Sequence, residues 1–314
     1  MKKTYYLLPL ILLLNAALLN AQDGDLLSLL GDDQTTDYTT ATFKTTRVVN
    51  GHSIENVGEG VLDFKISHRF GAFVNDSDAN FFGDLVDDFF GLDGATIRIG
   101  LDYGITDRLM VGIGRSSLEK VVDGFVKYKI LRQSTGKRNM PITLSFMTDM
   151  EIRTAKFSDE TRDNKFSDRL LFANQLLIGR KFSERLSLQI MPTHIHRNLT
   201  TTTEDKNDVF AIGAAGRVKL SRRVTFNAEY YYVPDNQIAT QYANCLSVGF
   251  EIETGGHVFQ LHFSNSPFMN YAGFITQTAE NWFYKTPDGN SMSSLRFGFN
   301  ISRVFTLKKP KGFE

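Results

Sequence analysis

The sequence predicts an all-β protein: a single transmembrane antiparallel β-barrel of about 12 strands, with short periplasmic turns and longer extracellular loops. Three observations carry this. Apolar and polar residues alternate with a period of two from Gly60 onward. The alternating runs are about 9–13 residues long, close to what a tilted strand needs to cross hydrocarbon. The connections between them are short and long by turns, as in a membrane barrel.

The chain has 314 residues, enough for one large domain or two ordinary ones. Hydrophobic residues make up 42%, and formal net charge is zero. Zero charge gives no electrostatic ground for a nucleic-acid partner. Cys245 is the single cysteine, so no intrachain disulfide is possible.

Residues 1–21 read as a signal peptide. "MKKTYYLLPLILLLNAALLNAQ" has two lysines, an apolar core from Leu7 to Leu14, and small residues near Ala21. Cleavage is expected after Ala21. No cysteine follows the core, which argues against a lipid anchor. An uncleaved anchor is the alternative, but the apolar run is short for one. Residues 22–59 lack the barrel pattern. "DGDLLSLLGDD" suits a short amphipathic helical turn, and "TTATFKTTRVVNGHSIE" is threonine-rich and extended. A periplasmic extension, a lumen plug, an extra strand and a poorly ordered leader all stay open.

The barrel is expected over 60–305, with strands near 60–70, 94–104, 108–116, 121–132, 141–153, 168–180, 185–196, 208–220, 223–234, 242–253, 257–265 and 292–304. In "ATIRIGLDYGI" Ile97, Ile99, Leu101 and Tyr103 share one face, and Arg98, Gly100 and Asp102 the other. "SLRFGFNIS" and "RVTFNAEYYYV" divide the same way. "DRLLFANQLLIGR", at 168–180, alternates poorly. One corner recurs three times: Ile105-Thr106-Asp107-Arg108-Leu109, Phe182-Ser183-Glu184-Arg185-Leu186 and Leu220-Ser221-Arg222-Arg223-Val224. A Thr or Ser opens each tight turn. An even strand count puts both ends of the barrel on one side, and residues 306–314 form a tail. A soluble exported sandwich or solenoid would also alternate, but without this loop asymmetry.

The segments "ATFKTTRVVNGHSIE", "LDFKISHRFG", "FFGLDGATIRIGLDYGITDRLMVGIGRSS" and "DGFVKYKILRQ" resemble an uncharacterised outer-membrane β-barrel family of Bacteroidota, a domain of unknown function. The resemblance runs from about Ala41 to the last strand. It implies a barrel and an outer-membrane address, and brings no catalytic residue.

If the apolar faces meet lipid, the polar faces line a lumen. The lumen candidates are Asp63, Lys65, Arg69, Arg98, Asp102, Lys127, Lys129, Glu151, Arg217, Glu229, Glu251 and Arg296, with Asp123, Asp149, Arg153, Lys219 and Glu253 on the same parity. Mixed signs suit a narrow conduit, and they equally suit a salt-bridged interior that only stabilises the barrel. Gly100, Gly112, Gly114, Gly213, Gly249 and Gly298 are expected to leave inward space. "NFFGDLVDDFFGLDG", at 80–94, suits a constriction, an apolar ligand site or an interfacial aromatic cluster.

His194 and His196 share a face and could chelate a metal, but their parity puts them at the outer rim. His262 points inward. Ser67 and His68 are neighbours on a strand, so they face opposite ways and cannot pair, and no GxSxG is present. No enzyme, cofactor or metal is expected. The expected function is a narrow channel or binding barrel for a small solute in outer-membrane lipid, restricted by 71–93 or 22–59. The alternative is a structural or partner-binding barrel with a blocked lumen. A rim lipid hydrolase is the least favoured reading.

Overall fold

The computed structural model describes residues 35–74, 94–157, 159–285 and 291–308. Its strands are β1 (Thr36–Tyr38), β2 (Val61–Val74), β3 (Thr96–Gly104), β4 (Leu109–Ser116), β5 (Val121–Leu131), β6 (Ser134–Gly136), β7 (Thr143–Arg153), β8 (Leu170–Lys181), β9 (Leu186–Arg197), β10 (Asp208–Lys219), β11 (Val224–Tyr232), β12 (Leu246–Thr254), β13 (His257–Ser264), β14 (Phe283–Lys285) and β15 (Ser291–Thr306). One sheet joins thirteen of them, and β13 also pairs with β15. β14 borders only the first residues of β15. The other twelve close into an antiparallel barrel. β15 makes the seam, lying between β13 and β2 with Ile301 opposite both Phe259 and Ile66. Closure leaves no barrel strand with an unpaired edge in lipid. No helix among the described residues is long and apolar enough to cross a membrane.

The period of two fixes which side chains face out. Ile113 is 57% exposed and Phe210 60%, while Asp102 and Lys127 are fully buried. Charge inside and apolar surface outside is the reverse of a soluble sandwich. All twelve predicted strands are present. The one expected from residue 242 starts only at Leu246, because side-chain amides hold the preceding loop: Asn244 Oδ1 accepts from Val233 N at 2.9 Å, and Asn265 Oδ1 from Leu246 N at 2.9 Å.

The recurring corner is one structure made three times. The hydroxyls of Thr106, Ser183 and Ser221 accept from the backbone N–H groups two and three residues on, at 3.0–3.3 Å. Each corner also closes from residues 105, 182 and 220 onto the carbonyls of Leu109, Leu186 and Val224. The side chain does the work of a backbone turn, so one tetrapeptide pattern suffices wherever two strands must reverse tightly.

The lumen was expected to be a narrow polar conduit restricted by 71–93 or 22–59, or else a salt-bridged interior. It is filled from both ends. At the turn end β1 pairs with β6, which lies in the β5–β7 connection. The chain then passes Ala41, which holds a positive φ of 52°, and enters the barrel. It reverses as a hairpin with Arg47 opposite His52, closed by Val48 N–Gly51 O at 2.8 Å and Ser53 N–Thr46 O at 3.0 Å. From the loop end, the segment between β13 and β14 turns inward and carries α1 (Tyr271–Thr276), every residue of which is buried. The core of the molecule therefore lies inside the barrel. Phe43, Val48, Ile54 and Val57 of the leader, Tyr271, Phe274 and Ile275 of the loop, and Met110, Phe125, Met147, Leu177, Met191 and Tyr231 of the wall form one apolar cluster. This explains β8: Leu171, Ala173 and Leu177 are buried inward against the filling, while Leu176 faces out, so both faces are apolar.

Candidate functional site

The candidate site is the plugged lumen, built from the hairpin tip outward. A reversal at 48–51 exposes backbone groups that no ladder satisfies, and in a dry interior each needs a partner. The wall supplies them from side chains. Glu229, inward on β11, accepts from the N–H groups of Val49, Asn50 and Gly51 at 3.2, 2.7 and 3.2 Å. Successive N–H groups round a carboxylate make an anion nest, here filled by the barrel itself. Gln260 and Asn300 donate to the carbonyls of Val48 and Val49 at 2.9 and 3.0 Å. Gln189 donates to His52 O at 2.8 Å, and Lys127 to Ser53 O at 3.0 Å and Glu55 O at 2.5 Å. Arg69 holds the Asn50 amide oxygen at 2.7 Å and Asn300 Oδ1 at 3.0 Å. Tip and wall meet closely: a Cβ on Gly51 would lie 2.0 Å from the Tyr231 hydroxyl.

Charges along the hairpin are paired in turn. Asp102 takes Arg47 and Lys65, both at 3.2 Å, and Thr46 Oγ1 at 3.0 Å; Lys65 also pairs with Asp63. Arg98 forks onto Asp123 through Nε, at 2.9 Å, and Nη2. Glu251 accepts from Gln260 at 2.6 Å, Thr225 at 2.9 Å and Thr45 at 3.2 Å. At the turn-side mouth Arg217 donates to the carbonyls of Ala41 and Thr42 at 2.7 and 3.0 Å. Buried ions without partners are costly, and here the partner is often the hairpin.

The other flank of the hairpin is apolar. Ile54 lies over Gly179 of β8, where a Cβ would meet it at 2.7 Å. His52 packs its ring edge-on to Phe125, with centroids 4.4 Å apart, and parallel to Tyr271 at 6.1 Å. Burial first, then the charges of Arg47, Lys127, Lys65 and Arg98, pushes the His52 pKa well below its usual value. The neutral ring accepts at Nδ1 from Arg47 at 2.9 Å. Tyr271 joins hairpin to loop: its hydroxyl accepts from His52 N at 2.8 Å and donates to Gln175 Oε1 at 3.1 Å. Glu151 secures the start of α1 through Asn270 Nδ2 at 2.8 Å and Ala272 N at 3.2 Å.

Of the twelve predicted lumen residues, Asp63, Lys65, Arg69, Arg98, Asp102, Lys127, Glu151, Arg217, Glu229 and Glu251 are buried inside the barrel. Lys129 and Arg296 share the inward parity but are half-buried near the two mouths. Arg69, Asp102, Lys127, Glu151, Arg217, Glu229 and Glu251 bind hairpin or loop, whereas Asp63, Lys65 and Arg98 pair within the wall. The inward glycines do not leave free space either. Arg98 lies over Gly100 and Gly114, Phe125 over Gly112, Tyr231 and Met191 over Gly213, and His262 over Gly249 and Gly298.

His194 Nε2 and His196 Nδ1 both meet Asp208 Oδ1, at 3.0 and 2.8 Å, on the outer rim. No metal-holding group of three or more His, Cys, Asp or Glu occurs among the described residues. His68 stacks outward on Phe299, away from the lumen. The aromatic stretch 80–94 lies outside the described residues except at Gly94. The sequence reading missed the neutral grips, Asn50, Gln189, Gln260, Asn300 and Tyr271. Asn50-Gly51 between extended flanks was the available signal for the hairpin.

No curated protein matches the chain. Among solved structures, the NanC porin is similar with a TM-score of 0.46 and 9% identity, over 77% of this chain and 98% of that one. The KdgM porin gives 0.44 and 9%, over 78% and 99%. The toluene transporter TbuX of Ralstonia pickettii gives 0.37 and 8%, over 79% and 90%. Residues 43–305 match the family described as a membrane bound beta barrel domain, DUF5777, a span that takes in the hairpin as well as all twelve barrel strands, and the chain belongs to that family.

Proposed function

We propose that this membrane β-barrel is a solute conduit held shut by its own leader. The carrying observation is how the hairpin is held. Both its ends leave by the turn-side mouth, and the polar wall grips its backbone through side-chain hydrogen bonds. Water can replace such bonds, so the hairpin can withdraw without unpicking the sheet. Withdrawal would bare a wall of mixed charge at the turn side, and passage of a small polar solute would also need the inward loop to give way. We read the address as the outer membrane of a bacterium, reached by a cleaved signal peptide, with Bacteroidota the lineage implied by the resemblance. The signal peptide itself lies outside the described residues.

The second reading is a permanently blocked barrel that serves structure or binds a partner. The apolar flank, with Ile54 packed into the cluster around Phe274, favours it. Liposome swelling separates the two. Proteoliposomes of the wild type should admit small sugars and amino acids slowly. Those of a variant lacking 41–57, with 266–281 shortened, should admit them readily. A folded variant that stays impermeable leaves only the blocked barrel.

A further inference from the structure

A cavity of about 540 Å³ opens at the turn-side mouth, between the incoming hairpin strand and the ends of β10, β12, β13 and β15. Its size lies within the range of small-molecule sites. The acids in its lining are all engaged. Glu55 accepts from Thr42 N and Phe43 N at 2.7 and 3.3 Å. Asp63 accepts from Ser302 at 2.6 Å and pairs with Lys65. Glu253 pairs with Lys44 at 2.5 Å.

The bases are not all engaged. Lys219, at the end of β10, and Arg222, in the next corner, line the same cavity. Among the described residues no hydrogen bond or ion pair engages their side chains. His257, at the start of β13, also borders the cavity, but it shares the outward parity of Phe259 and lies against that ring, centroids 6.1 Å apart. Arg217, 5% exposed, lines the cavity too, and its buried Nε has no hydrogen-bond partner. Phe43, Val57, Val61 and Val258 supply apolar wall beside these groups. Lys44, Arg217, Lys219 and Arg222 face Glu55, Asp63 and Glu253 in this lining, with Glu184 also acting on Arg217 and Lys219, so the balance of the lining itself is positive by one charge, and a concave, partly apolar mouth focuses such an excess.

We infer that this vestibule binds a small organic oxyanion, a solute bearing carboxylate or phosphate groups. Guanidinium matches either group with paired N–H donors, and lysine adds a point charge. The inference rests on the conduit reading for its purpose, since the bound anion would be cargo waiting at the plug. Binding itself does not require an open lumen.

Isothermal titration calorimetry on the full-length folded protein in non-ionic detergent tests it, with citrate and pyrophosphate as probes and xylose as the uncharged control. The wild type should bind at least one anion saturably, and not xylose. K219Q/R222Q, checked for folding by its migration before and after boiling, should bind about tenfold more weakly or worse, and with less salt dependence. No saturable heat with either anion overturns the inference, as does equal affinity in the double variant. Displacement of citrate by phosphatidylglycerol added to the micelles overturns a soluble ligand in favour of a lipid headgroup. A protein that binds citrate but passes no solute keeps this site and loses the conduit; one that conducts without binding does the reverse.

Discussion

The hairpin and the inward loop fill one lumen from opposite ends, and the barrel holds them differently. The hairpin presents bare backbone, and the wall answers with Glu229, Gln260, Asn300, Gln189 and Lys127. The loop satisfies part of its own backbone in α1, with Phe274 N on Asn270 O at 3.0 Å and Gln277 N on Gly273 O at 2.9 Å. It then buries Phe274 against Tyr231 and Tyr271, each with centroids 5.1 Å away. Apolar packing loses its full value when water enters, whereas an exposed amide simply changes partner. Both segments also share the apolar cluster, the hairpin through Phe43, Val48, Ile54 and Val57, so the contrast is one of degree: under the conduit reading the hairpin is the segment expected to leave first.

The largest expected effect is on the staying side. Phe274→Ala should cost about 3–5 kcal/mol, as large-to-small changes in packed cores do. Urea titration of the folded barrel measures this. A loss no greater than that of an exposed residue would mean the loop is only laid on the lumen. On the hairpin side Glu229→Ala strips the acceptor from three N–H groups, worth about 1–3 kcal/mol for a buried group left unpaired. The cost should appear as faster protease cleavage within 43–57, with barrel unfolding little changed. If barrel and hairpin lose stability together, the contrast fails.

Gly51→Ala should also loosen the hairpin, because its Cβ meets the Tyr231 hydroxyl. Tyr231→Phe in the same chain should recover part of the protection by removing that oxygen. No recovery would place the strain elsewhere. The smallest effect is that of pH. His52 is held neutral when docked and takes a proton more readily once solvated. Docking should therefore be at full strength above the ordinary histidine pKa of about 6.5 and weaken as pH falls through it. His52→Gln should remove that part of the pH dependence of hairpin cleavage; an unchanged profile would assign it to other groups.

The same contrast explains what could be read in the sequence. The barrel strands were legible because lipid imposes one apolar face on each, and period two survives in any short window. The corners were legible because Thr106, Ser183 and Ser221 act on residues two and three positions away. The plug was legible only as one of several alternatives for 22–59, because its partners are remote: Asn300 reaches Val49, and Gln189 reaches His52. The inward methionines were not legible. Met110, Met147 and Met191 sit on polar parity, and only the filled lumen gives them something apolar to face. Parity alone put charged residues on the inward face, but parity does not show whether water or chain lies opposite.

Amide hydrogen exchange on the folded barrel tests the central claim most directly, followed by mass spectrometry of the segments 43–57 and 268–280 in the wild type and Glu229→Ala. The account predicts both segments protected in the wild type, and protection lost in 43–57 alone when Glu229 is removed. Rapid exchange of 43–57 in the wild type, or equal loss in both segments of the variant, would contradict it.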